Sequence, residues 1–161
     1  MKIIHTTPYG EPAEIQKDEK TRVWFPSENT IDKTISEISE KLNKTGLNCI
    51  LEHFETKRCN VNWYERYVQI TSIFIDFSKP CHIRPLGIDC TGIKIQMTDN
   101  SITEHEISVY PKVKYPHSEG EEYATAQITT HMATDKYPDS DLITCAIDDT
   151  VKWFEKFAYM V

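Results

Sequence analysis

The stretch Tyr67-Val68-Gln69-Ile70-Thr71-Ser72-Ile73-Phe74-Ile75-Asp76-Phe77 is rich in β-branched and aromatic residues. Such residues favour a long β-strand. Residues 93–97 and 107–115 then alternate apolar and polar side chains, the pattern of half-buried strands, and Pro111 indicates an edge or a bulge. Strands that follow one another directly along the chain predict a mostly antiparallel sheet.

Two helices are expected beside this sheet. The first begins after an N-cap at Asn29 or Thr30 and ends at Gly46, because apolar residues recur between them at steps of three and four. The second begins at Asp148 or Asp149. We expect further strands over residues 47–54 and 142–147. The predicted fold class is α+β, with two main helices and one domain over residues 1–161.

Length and composition agree with a globular chain. Its 161 residues suffice for a core, and no apolar run approaches the ~18 residues that a membrane helix needs. The N-terminus lacks the apolar region and small-residue cleavage site of a secretion signal, which favours a cytoplasmic protein. The five cysteines form no Cys-x-x-Cys pair and the six histidines occur singly, so we expect no disulfide framework, metal site or cofactor.

The charge of the chain restricts its partners. The formal net charge of −7 disfavours tight, non-specific binding to nucleic acid, which depends on lysine and arginine. An acidic surface suits a basic protein partner or a small ligand. Aromatic and basic residues interleave at Tyr110, Lys112, Lys114, Tyr115 and His117, as in a nucleotide-stacking surface or a lysine-protected strand edge.

Residues 123–133 alternate polar and small or apolar residues. In one continuous strand, the side chains of Tyr123, Thr125, Gln127, Thr129 and His131 would project to one face. Ala124, Ala126, Ile128 and Met132 would then face a core. This polar row is either a binding site or the solvated face of a half-buried strand.

A family resemblance supports the binding interpretation. Leu47-Asn48-Cys49-Ile50-Leu51-Glu52-His53 and Ala126-Gln127-Ile128-Thr129-Thr130, with Pro138 and Ser140 following, resemble the motif strands of the two-histidine phosphoesterases. This superfamily includes LigT-like proteins and the cyclic phosphodiesterase domains of tRNA ligases. The resemblance spans roughly residues 1–147 and implies a two-histidine-phosphoesterase-like fold with a phosphate-binding cleft.

The chain departs from that family at the catalytic positions. Asn48 and Gln127 stand where the two catalytic histidines would lie, and Ile50 replaces one of the two motif threonines, while Thr129 is kept. Amide groups can hydrogen-bond a phosphate but cannot transfer protons near neutral pH. The resemblance therefore favours binding over catalysis, with Asn48, Thr125, Gln127, Thr129 and His131 as candidate ligand-binding residues.

Three functions follow from these observations. The first is binding of a nucleotide, an RNA-end phosphate or another small phosphate ligand, as a sensor or sponge with little hydrolysis. The second is a small acidic inhibitor, immunity or counter-defence protein that binds a basic protein such as a toxin or nuclease. The third is an active phosphodiesterase that uses His53 and His131, each of which begins a His-x-x-Thr sequence.

Overall fold

The chain forms two helices and eight strands over the residues that the structure describes. The computed structural model describes residues 2–6, 24–60, 67–84, 86–99, 105–115, 120–133 and 139–159. The elements in chain order are β1 (Lys2–Thr6), α1 (Glu28–Asn43), β2 (Cys49–Asn60), β3 (Tyr67–Ile83), β4 (Ile88–Asp99), β5 (His105–Lys114), β6 (Glu122–Tyr123), β7 (Thr129–Ala133), α2 (Asp139–Phe157) and β8 (Ala158–Tyr159).

All described strands belong to one sheet, in the order β1-β2-β3-β4-β5-β6. β6 and β7 both pair with β5, β6 at residues 112–113 and β7 at residues 105–109. β8 pairs with β3. Only the β1–β2 pair is parallel among the described pairs, and the other pairs are antiparallel. The predicted α+β class, with a mostly antiparallel sheet and two helices, is confirmed.

One face of the sheet carries the hydrophobic core. Side chains at alternate positions of β3, β4 and β5 point to this face because successive residues of a strand project to opposite sides. They pack with the apolar sides of α1 and α2 into a buried cluster that includes Ile73, Ile75, Ile93, Ile95, Met97, Ile107, Val109, Ile38, Leu42, Ile147 and Phe154. Since both helices contribute to this cluster, they cover the same face of the sheet.

The first helix begins slightly earlier than its sequence pattern predicted. Ser27 is the N-cap, and its hydroxyl oxygen accepts a hydrogen bond from the backbone N–H of Thr30 at 3.2 Å. Glu28 lies in the first turn, where the helix dipole favours an acidic residue. The chain leaves the helix through Gly46, whose φ of 99° is favourable only for glycine.

The second helix corrects the sequence prediction. Residues 142–147, predicted as a strand, belong to α2, which begins at Asp139 rather than at Asp148 or Asp149. Leu142, Ala146 and Ile147 are buried at helical spacing, so tertiary packing overrides the strand preference of the β-branched residues. No helix in the described ranges is long and apolar enough to cross a membrane.

A buried polar network attaches the segment before α1 to the end of the sheet. The backbone N–H of Phe25 donates to Asp99 Oδ2 at 3.0 Å, and Gln69 Nε2 donates to the Phe25 carbonyl at 3.1 Å. Gln69 Oε1 accepts from Arg58 Nε at 2.7 Å. The Phe25 ring stacks on His105 with 4.4 Å between ring centroids. Buried polar groups need such partners, and here they fix the start of α1.

Candidate binding site

Of the five predicted ligand-binding residues, the structure brings Thr129 and His131 together and leaves Asn48, Thr125 and Gln127 elsewhere. Residues 123–133 are not one strand: β6 ends at Tyr123 and β7 begins at Thr129. The strict alternation expected across the stretch is therefore wrong, and Met132, predicted to face a core, is 54% exposed. Thr125 lies exposed in the connection between the two strands.

Thr129 and His131 face α2. His131 Nε2 lies 2.7 Å from Asp149 Oδ2, and Thr129 Oγ1 donates to the same carboxylate oxygen at 3.2 Å. Because His131 pairs with Ile107, whose side chain is in the core, this group lies on the helix-covered side of the sheet. Its hydrogen bonds join β7 to α2.

Asn48 and Gln127 occupy other places. Asn48 is exposed just before β2, and its carbonyl accepts from the backbone N–H of Ser78 at 2.9 Å. Gln127 is exposed on the opposite side of the sheet from His131, where its Nε2 donates to the Tyr110 hydroxyl at 3.2 Å. The amide positions suggested by the phosphoesterase resemblance thus line no common cleft among the described residues.

His53 and His131 lie on opposite faces of the sheet. His53 pairs with Phe74 across β2 and β3, and the two rings stack with centroids 4.4 Å apart and planes at 17°. Phe74 alternates with the core residues Ile73 and Ile75, so it points away from the helices. A single substrate therefore cannot contact both histidines in this arrangement.

We call the side of the sheet away from the helices the open face, and its floor is aromatic. One cross-strand row runs from His53 through Phe74 and Lys94 to Tyr110. Tyr123 lies beside this row, with its ring 5.7 Å from that of Phe74. The four rings and one ammonium come from β2, β3, β5, β6 and β4 in turn, so only the folded sheet assembles them.

The Lys94 ammonium lies against two aromatic rings of this floor. Its Nζ is 4.9 Å from the ring centroid of Tyr110 and 5.1 Å from that of Tyr123. Both distances fall within the range of a cation–π interaction. These two tyrosine rings therefore already contact a cationic side chain of the protein itself.

A carboxylate cluster, formed by Glu52, Asp76 and Glu121, surrounds Lys112 at one side of the floor. Lys112 Nζ lies 3.1 Å from Asp76 Oδ1, 3.5 Å from Glu121 Oε2 and 3.9 Å from Glu52 Oε2. The Lys112 side chain is only 17% exposed. With three carboxylates around one ammonium, this part of the open face has a surplus of negative charge.

Burial and charge shift two pKa values here. Burial alone would lower the pKa of Lys112, but the hydrogen bond to Asp76 and the nearby negative charges raise it above its ordinary 10.5. Burial raises the pKa of Tyr123 to about 12, against the opposing effect of Lys112. Lys112 is thus charged and Tyr123 neutral at physiological pH.

Part of this site was visible in the sequence. Tyr110 and Lys112 were noted as interleaved aromatic and basic residues, and alternation along β5 places both on the open face. Lys114 and Tyr115 are exposed at the end of that strand, and His117 lies outside the described residues. Glu52 and Asp76 were missed because they reach Lys112 only through cross-strand pairing. The described residues contain no group of three or more histidine, cysteine or acidic side chains arranged to hold a metal ion.

Comparison with other proteins adds no family to this description. No family model matches the sequence, and no curated protein or solved structure matches it significantly. The resemblance to the two-histidine phosphoesterases therefore stays a prediction.

Proposed function

We propose that the protein is a non-catalytic binding protein whose open face covers a basic surface of a protein partner. The observation that carries this proposal is the carboxylate cluster, because its three carboxylates, Glu52, Asp76 and Glu121, outnumber the two ammonium groups of Lys112 and of Lys94 in the adjoining aromatic floor. A partner's arginine or lysine would neutralise this surplus. A negatively charged surface beside aromatic rings suits an inhibitor or immunity protein that binds a basic toxin or nuclease.

The aromatic floor strengthens the same interpretation. Tyrosine and arginine are enriched among the residues that dominate binding energy in protein interfaces. The contacts of Lys94 with Tyr110 and Tyr123 illustrate how these rings accept a cationic side chain. The net charge of −7 would also steer a basic partner toward the protein and speed association at low salt.

Nucleotide binding is the second candidate function, and one observation favours it. Phe74, Tyr110 and Tyr123 offer ring faces on which a base can stack, and Lys94 lies among them. The carboxylate cluster opposes this function because it repels a phosphate. Protein binding is therefore the function that the electrostatics favour.

The proposal is tested by removing the surplus charge without changing the shape of the site. The double variant Glu52→Gln/Glu121→Gln is compared with Glu40→Gln/Glu155→Gln, which makes the same change in net charge on the exposed sides of the helices. Each chain is immobilised to capture proteins from the source lysate at low and high salt. The captured partner is identified by mass spectrometry and its affinity is then measured by calorimetry.

The wild-type chain should retain a basic protein at low salt and release it at high salt. The affinity of that partner should fall roughly tenfold or more for the first double variant and stay unchanged for the second. Equal affinities for the two variants, or no basic partner, would contradict the proposal. Heat on titration with cyclic dinucleotides, cyclic mononucleotides or 2′,3′-cyclic phosphates, lost in Lys94→Met and Gln127→Ala, would instead establish nucleotide binding.

A further inference from the structure

Part of the outer edge of β2 has no neighbouring strand among the described residues. β2 pairs with β3 from Cys49 to Asn60, but β1 pairs with β2 only from Glu55 to Cys59. Within the described ranges, the edge before Glu55 therefore has no strand partner on its outer side. An edge of this kind offers backbone N–H and C=O groups to another chain.

The hydrogen bonds at the start of β2 show which backbone groups point outward. The Asn48 carbonyl accepts from the N–H of Ser78, beside β3, whereas the N–H of Cys49 donates in another direction, to Asn43 Oδ1 at 2.8 Å. Since successive residues of an edge strand alternate in direction, Leu51 also directs its N–H and C=O away from β3. The backbone groups that this edge offers to another chain are thus the Cys49 carbonyl and the N–H and C=O of Leu51.

The side chains along this edge are apolar and exposed. Ile50 is 53% exposed and Leu51 is 41% exposed, which is unusual for large apolar residues on neighbouring positions. Ile50 pairs with Asp76 and therefore lies on the open face. The exposed edge is thus continuous with the carboxylate cluster.

The irregularity that follows links the edge to the cluster directly. A β-bulge between Leu51 and His53 interrupts the pairing with β3. The inserted residue, Glu52, is directed toward Lys112 on the open face. A chain paired with Leu51 would therefore run beside a carboxylate of the cluster.

We propose that an extended segment of the basic partner adds to β2 as an extra strand at Cys49–Leu51, with a cationic side chain on the carboxylate cluster. This inference rests on the proposed function and specifies how the partner binds. Backbone hydrogen bonds at the edge would supply affinity, and the negative surplus would select a cationic segment. Leu51, which pairs with Ile75 and lies on the other face of the sheet, would pack against its apolar side chains.

Substitution of Leu51 isolates the contribution of the edge. Leu51→Pro removes the outward N–H and leaves the β2–β3 hydrogen bonds in place, since proline is tolerated where an edge N–H faces away from the sheet. Leu51→Val is the matched control because it keeps the N–H and the strand preference. Circular dichroism and thermal unfolding establish that both variants are folded before binding is measured.

The probe is a ten-residue peptide of alternating arginine and valine, used with two N-methylated forms. Methylation of the valine nitrogens blocks one edge of the extended peptide, and methylation of the arginine nitrogens blocks the other. The parent peptide should bind the wild-type protein and Leu51→Val, and bind Leu51→Pro at least fivefold more weakly. One methylated form should bind like the parent and the other should lose binding.

The outcomes separate this inference from the proposed function. If the parent peptide does not bind, if both methylated forms bind equally, or if Leu51→Pro binds as well as Leu51→Val, the added strand is refuted. If Leu51→Pro keeps full affinity for the captured basic partner while Glu52→Gln/Glu121→Gln loses it, the proposed function stands without the added strand. If neither substitution affects that partner, both proposals fail.

Discussion

Replacing Lys112 with methionine tests the electrostatics of the open face most directly. The change keeps the unbranched aliphatic stem but removes the ammonium that lies 3.1, 3.5 and 3.9 Å from carboxylate oxygens of Asp76, Glu121 and Glu52. Partly exposed ion pairs contribute about 0.2–1 kcal/mol each. The variant loses this attraction, and the repulsion among the three carboxylates is no longer offset by a positive charge. Together these effects should lower the free energy of unfolding by about 1–2 kcal/mol at pH 7.

The pH dependence of this loss identifies its cause. The pKa of Lys112 is raised above its ordinary 10.5 in the folded protein, so its stabilising effect is fully present below about pH 10.5. The effect is lost as the pH rises through the folded-state value. The stability difference between the wild-type protein and Lys112→Met should therefore be greatest below about pH 10.5 and should shrink above the folded-state pKa of Lys112.

Urea unfolding at about pH 7 and about pH 11, on either side of the ordinary pKa of 10.5, measures the difference. Lys114→Met is the matched control, because this neighbouring lysine of β5 is exposed and its loss should change stability by less than about 0.5 kcal/mol. Equal losses for the two variants would refute the reasoning. A difference that is larger at about pH 11 than at about pH 7 would also refute it.

Two further predictions concern positions outside the ion pairs. Gly92→Ala should destabilise the protein by about 2–4 kcal/mol in urea unfolding, since the added Cβ would lie 2.4 Å from the Ile75 carbonyl oxygen, whereas Gly120→Ala has open space and should have little effect. Cys145 is exposed and should react rapidly with a thiol reagent in the folded protein. Buried Cys90, whose pKa is raised by its hydrogen bond with Cys81 and by burial, should react only after unfolding; a rapid phase that is lost in Cys90→Ser would contradict this assignment.

The long strands were predictable because the residue preferences and patterns that specify them lie within each strand's own sequence. The β-branched and aromatic composition of residues 67–77 predicts β3 and the alternation of residues 93–97 predicts β4, and in both strands about one side chain in two reaches the core. The second helix was not predictable in the same way. The segment Leu142–Ile147 has strand-forming residues, and its helical state depends on burial against the sheet.

The composition of the open face depends on register, which no single segment specifies. Lys112 meets Asp76 because β5, β4 and β3 pair with particular offsets, and it meets Glu52 because a bulge in β2 redirects that side chain. The polar row expected over residues 123–133 failed for a related reason. Alternation assigns faces only within an unbroken strand, and this stretch is interrupted before Thr129.

The surplus charge of the carboxylate cluster is itself an argument for a binding role. Lys112 needs one close carboxylate, and Asp76 at 3.1 Å satisfies this need with a hydrogen bond. Glu52, at 3.9 Å, gains a weaker attraction to Lys112 that is opposed by its repulsion from the other two carboxylates. Its replacement by glutamine should therefore change the free energy of unfolding by less than about 0.5 kcal/mol, far less than the loss of Lys112. A charge that folding does not require, placed beside half-buried aromatic rings and a strand edge that has no strand partner among the described residues, supports the proposal that a cationic partner binds here.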